Sequence, residues 1–255
     1  MISIGQNECL RKVAAQASEN EAWREYALYC RDRELGLRRR AFQHLEKFLD
    51  SAKLWSFEDR SAFANWLCGR MAEFGDIDSY GLIPQPLAQQ LVFPALREWA
   101  TRETKSSIPY RWLGMFFSGV AYSSLRAGLS AAPDEASALL REALRRNPKD
   151  DLARMRLIEM IIGDAEFSCH HLPENYIGNP KLDLARLAEA AELLPDVANP
   201  VQNARLQSEL NNVPQLIDDW MRFTEAGASD FNLWCKDRGR TYQWITVVYY
   251  SADDK

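Results

Sequence analysis

The sequence predicts an all-α protein made of stacked antiparallel helical hairpins. Apolar residues recur at spacings of three and four along almost the whole chain, the period of an amphipathic helix. Prolines and asparagines fall where helices begin, and short turns of Gly, Pro, Asn or Asp separate the periodic runs, which favours antiparallel neighbours. The 255 residues are 47% hydrophobic and 26% charged, the balance of a globular chain with a sizeable core.

Each element follows from its own residues. Trp23, Tyr26, Ala27 and Cys30 form one stripe, and Leu37, Ala41, Leu45, Phe48 and Ala52 form the next. In "FEDRSAFANWLCGRMAEF" the stripe is Phe63, Trp66, Leu67, Met71 and Phe74, and Ser56 with Asp59 approximates a capping box ahead of it. Pro86 can open a helix carrying Leu87, Leu91, Ala95 and Trp99, with a kink expected at Pro94. Pro133, Pro180 and Pro200 each occupy a first helical position, the last two behind Asn179 and Asn199 as caps. Gly163 reads as a left-handed cap, so a long loop is expected from there to Pro180. Only "TYQWITVVYY", residues 241–250, is β-branched and aromatic, and it reads as a short strand. No long linker divides the chain, so a single helical-repeat domain over 1–255 is expected, with "RETKSSIPY" (102–110) as the best sub-boundary.

Around "EASALLREALRRNPKDD" the spacing becomes more specific. Ala136, Leu140, Ala143 and Pro148 stand four, three and five residues apart. Small residues admit a close neighbour, the leucine fills the groove and the proline ends the helix. This resembles the second helix of a tetratricopeptide repeat. Leu187, Ala190 and Pro195 repeat the last two spacings, with Asp183 where alanine is expected. Trp112, Leu113 and Gly114 occur in direct succession rather than at the family's first-helix spacing. Pro148 and Pro195 are 47 residues apart, against a family period of about 34. The resemblance covers roughly residues 110–195 and implies a superhelical stack that binds peptides or proteins.

Charge and cysteine content narrow the function classes. The net charge is -5, and residues 181–230 alone hold nine acidic against four basic side chains. An acidic C-terminal third suits a basic protein partner and argues against nucleic acid. "RDRELGLRRR" (31–40) is strongly basic, but Asp32 and Glu34 interrupt it, and it reads as a solvated helix face. No apolar run approaches the roughly 20 residues of a membrane helix, so no membrane role is expected. Five scattered cysteines without a CxxC pair, behind a start unlike a secretory signal, point to a reducing, cytoplasmic setting. There is no P-loop or GxGxxG, and no cofactor is expected.

"SCHHLPENYIGNP" (168–180) carries the densest chemistry. Cys169, His170, His171 and Glu174 raise the alternative of a hydrolase or metalloenzyme. Adjacent histidines diverge by ~100° on a helix, and a zinc site needs about three or four protein ligands. The only other histidine, His44, lies far upstream, and "HHLPE" lacks the HExxH arrangement. A nucleophilic Cys169 needs an oriented base that local spacing does not supply. The reading that accounts for more residues is a structured loop anchored by Tyr176 and Ile177 and shaped by Pro173 and Gly178. His170, His171, Glu174 and Tyr176, with Trp220 and Trp234 from the late tryptophan cluster, are then the partner-binding candidates. The sequence thus points to a non-enzymatic protein-binding helical array. In size, charge and architecture it is similar to the bacterial immunity proteins that neutralise a cognate toxin, although no motif carries that likeness.

Overall fold

The computed structural model describes residues 4–78, 81–116 and 136–242, and every regular element among them is helical. The all-α class therefore holds. The chain divides into two compact units, Met1–Pro148 and Lys149–Lys255. The stretch 102–110 lies within the first unit, where it joins helices that pack on each other. Among the described residues no helix is long and apolar enough to cross a membrane.

The first unit opens with α1 (Ile4–Ala17), α2 (Arg24–Glu34), α3 (Arg38–Ala52) and α4 (Phe57–Asp78). α2 packs on both α1 and α3. The α2–α3 turn is tight because Gly36 takes φ 73°, and Leu37 N–H then returns to the Asp32 carbonyl. Leu37, expected in the α3 stripe, precedes the first helical residue and stays 42% exposed. Ala41, Leu45, Phe48 and Ala52 are buried as their spacing requires. Phe48 meets Tyr26 and Phe63, with ring centres 5.5 and 4.9 Å away. The buried tyrosine hydroxyls are satisfied, Tyr26 donating to the Leu82 carbonyl and Tyr29 to that of Gly81. The α4 cap forms as expected: Asp59 N–H donates to Ser56 Oγ, which donates back to the Asp59 carboxylate.

The helix expected from Pro86 runs on past Pro94, with a π-helical stretch just ahead of that proline. Helical backbone angles continue from one turn at Gln85–Leu87 through a π-helical stretch, Ala88–Val92, into α5 (Phe93–Arg102), which holds Pro94 in its first turn. The wider π turn accommodates a residue that has no N–H to donate. α6 (Ile108–Phe116) packs on α5 and on α7 (Ala136–Arg146). The helix start expected at Pro133 lies outside the described residues. Ala136 and Ala143 are buried, and Gly114 of α6 is set so close to the Ala136–Leu140 turn that a Cβ there would lie 2.9 Å from Leu140 Cγ. Arg146 ties the pair together, donating to Tyr110 Oη and the Thr104 carbonyl with its guanidinium over the Tyr110 ring.

Next to Arg146, Glu142 accepts from Arg145 and Arg146. Hydrogen bonds from Arg145 are the largest influence; with Arg146 they outweigh burial and hold the Glu142 carboxyl at about 2. A carboxyl lowered from 4.5 stabilises the fold above that pH and loses its contribution as pH falls towards 2. Glu142→Gln should therefore flatten the acid limb of stability in this window and cost about 1 kcal/mol at pH 7, measured by denaturant melts across pH.

The second unit consists of α8 (Asp151–Cys169), α9 (Pro180–Leu193), α10 (Pro200–Glu225) and α11 (Phe231–Lys236). α8, α9 and α10 pack pairwise on one another, and α11 packs on α10. Asn179 and Asn199 cap α9 and α10 through their side chains, with proline at the first helical position of each. Gly163 is not a cap. α8 runs six residues further because Ile161, Ile162, Ala165 and Ser168 continue its buried face, and that burial outweighs the ~1 kcal/mol helix penalty of one glycine. The loop is thereby shortened to residues 170–179. α10 also contains Pro214 in its interior. Of the strand expected over 241–250, residues 243–250 lie outside the described residues. Tyr242, just before them, donates to the buried Asp219.

Candidate functional site

The loop 170–179 joins α8 to α9, and its geometry follows from a few bonds. His170 caps α8 with helical backbone angles, and its Nδ1 bonds the Phe167 carbonyl. Ile177 N–H donates to the Ser168 carbonyl at 2.9 Å, closing the loop onto the helix end. Gly178 then takes φ 109°, a turn that residues with a Cβ rarely adopt, and leads into the Asn179 cap. Beneath the loop, Tyr176 Oη donates to Asp183 Oδ2 at 2.6 Å, and the two residues are 8% and 7% exposed. Burial, followed by the Asp183 carboxylate, pushes the Tyr176 hydroxyl well above its ordinary range and keeps it a donor.

Tyr176 is the expected anchor. Ile177 is only half-buried, so its part in closing the loop is played by its backbone. The histidine geometry differs from the expectation of diverging side chains. The rings of His170 and His171 lie 4.1 Å apart, and His170 lies 4.6 Å from Phe167. Because α8 ends at Cys169, the two histidines sit at its cap rather than on a continuing helix or strand, which lets their rings meet. Phe167 is 64% exposed and His171 is exposed, while His170 between them is half-buried. Glu174 is exposed one turn further on, its N–H donating to the His171 carbonyl.

The reactive alternative finds little in this arrangement. Burial pushes the Cys169 thiol up to about 12, with Asp183 and Glu166 adding to it. No hydrogen bond among the described residues joins Cys169 to either histidine. Among the described residues no three His, Cys, Asp or Glu side chains are grouped to hold a metal ion. The thiolate is the nucleophile, so iodoacetamide at pH 8 should label Cys169 at least ~100-fold more slowly in the folded chain than in urea, read by peptide mass spectrometry. Labelling at the denatured rate would restore a reactive cysteine.

Trp220 and Trp234 are placed elsewhere, in a buried cluster with Phe223 and Phe231. Phe231 stands 5.1 Å from Trp220 and 6.1 Å from Trp234. Their contribution lies in packing α11 onto α10.

Sequence reasoning missed a charged cluster in the first unit. Arg40 clamps the buried Asp32 with two hydrogen bonds of 2.5 Å, and His44 Nδ1 lies 2.7 Å from Glu25. The Asp32 carboxyl is lowered, mainly by those Arg40 bonds. These pairs link α2 to α3 in antiparallel register, and the signal was present in the alternation of arginines with Asp32. Beside them is an open groove of about 370 Å³ that includes Glu21, Arg24, Glu25 and Trp55. Ser51 also lines it, its hydroxyl donating to the Phe48 carbonyl.

Comparison of the chain with protein-family models, curated proteins and solved structures finds no match in any of the three.

Proposed function

We propose that this chain works by binding a protein partner, without catalysis of its own, and that the acidic second unit carries the binding face. The observation that supports this reading most directly is the loop 170–179. A buried Tyr176–Asp183 bond and two helix ends hold it in shape, while Phe167 and His171 are exposed with the half-buried His170 between them. An exposed aromatic residue on a rigid mount costs little ordering entropy on binding, a property of interface hot spots. A cysteine hydrolase at this loop would instead need a nucleophile and a base within reach of each other, and burial raises the Cys169 thiol to about 12.

The finer proposal is an immunity-type protein that neutralises a cognate toxin. Its support is the likeness of size, acidity and helical architecture. Co-purification of the untagged chain with quantitative mass spectrometry tests the binding reading, and a stoichiometric basic protein is the expected result. Recovery of no such partner under several growth conditions would reject it. A gene for a toxin beside the gene for this chain would support the immunity role, and an unrelated partner would remove it.

A further inference from the structure

Resting on that binding reading, we infer that the Phe167–His170–His171 ring series is a docking shelf for an arginine side chain on the partner protein. The first argument is charge. Between Arg156 and Lys181 the chain contains no lysine or arginine, whereas Asp164, Glu166 and Glu174 all fall in that interval. Glu166 and Glu174 make no ion pair within the described residues. The Glu166 carboxyl is raised first by burial and then by the carboxylate of Glu209, which is itself paired with Arg205, so Glu166 is the acid a cation would favour. The shelf also caps the C-terminal end of the 19-residue α8, where the helix dipole favours a positive group.

The second argument is the way this chain treats its other aromatic surfaces. Arg146 lies over Tyr110 at 3.9 Å, Arg111 over Trp112 at 4.1 Å, Arg238 over Trp234 at 3.8 Å and Arg102 over Phe57 at 4.5 Å. Phe167 is more exposed than any other aromatic residue in the described core and surface, and no cation of the described chain covers it. A planar guanidinium stacks on such rings and still has several donors free for carboxylates of the same segment, such as Glu166 and Glu174. A lysine ammonium is more strongly hydrated and does this less well.

The test uses the whole chain and two probes, nona-arginine and nona-lysine peptides, titrated by calorimetry at fixed ionic strength. The parent should bind nona-arginine about fivefold more tightly than nona-lysine. Phe167→Leu keeps an apolar helix former at an exposed position, and its melting temperature should match the parent's. It should nevertheless abolish the arginine preference. Glu166→Gln with Glu174→Gln should weaken both peptides. Equal affinities in the parent, a preference that survives Phe167→Leu, or no binding would each overturn the inference. So would a parent dimer that Phe167→Leu dissolves while nona-arginine stays unbound, since the occupant would then be a second copy. These outcomes leave the broader reading intact if co-purification still recovers a stoichiometric partner with Phe167→Leu. Failure of co-purification with the parent strikes that reading itself.

Discussion

Gly114→Val should lower the melting temperature by about 6–12 °C, while Gly163→Ala should raise it slightly. Both glycines lie inside helices, but their surroundings are opposite. A Cβ at Gly114 would fall 2.9 Å from Leu140 Cγ and 3.1 Å from the Ala136 carbonyl oxygen. Leu140 is fully buried and cannot swing aside, and the carbonyl belongs to the α7 backbone. Accommodation requires α6 and α7 to separate. Overpacking of that kind costs about 3 kcal/mol for a valine, whose helix propensity is also poor. Gly163 meets nothing within 4 Å of its would-be Cβ, so alanine there gains up to ~1 kcal/mol of helix propensity. Gly114→Ala should fall between the two, because overpacking and propensity then oppose each other. A Gly114→Val chain that melts at the parent temperature would show that α6 and α7 do not approach at this point.

That close approach was half legible in the sequence. The spacing of Ala136, Leu140 and Ala143 marked α7 as a helix met closely by a neighbour, and Gly114 was noted only for its order after Trp112 and Leu113. Nothing local says that Gly114 faces Leu140, because that pairing is fixed by tertiary packing. Helix starts were the most readable features. Asn179 before Pro180 and Asn199 before Pro200 satisfy orphan N–H groups by local chemistry, and both caps form. Helix ends were less readable. A glycine at a C-terminus and one inside a helix look alike in sequence, and the buried face through Ala165 and Ser168 decided for the interior at Gly163. In the candidate site, Tyr176 was recognised as an anchor but its partner was not. Asp183 stood out as an acid where the repeat spacing expects alanine, and that oddity was the trace of a buried acceptor. Phe167 was missed because its exposure depends on where α8 ends.

Tyr176→Phe should destabilise the second unit by about 2–3 kcal/mol, although it removes a single oxygen. The hydroxyl donates a 2.6 Å hydrogen bond to a carboxylate that is 7% exposed, and bonds to charged groups are the strong ones. Without the donor, a polar side chain that is 7% exposed loses its hydrogen-bond partner, and its desolvation cost is uncompensated. Asp183→Asn in the Tyr176→Phe background should recover part of the loss, because an unpaired amide is cheaper to bury than an unpaired carboxylate. A double-mutant cycle should then return a coupling of about 1–2 kcal/mol, and additive effects would show that the two side chains do not act as a pair. The consequence for the loop is separable from global stability. Ile177 N–H, the next amide after Tyr176, donates to the Ser168 carbonyl, so its exchange should accelerate in Tyr176→Phe more than exchange within α10 does. Uniform acceleration across the unit would mean that Tyr176 supports the whole fold. A local effect at Ile177 would mean that it supports the mount on which Phe167 and the histidines are displayed.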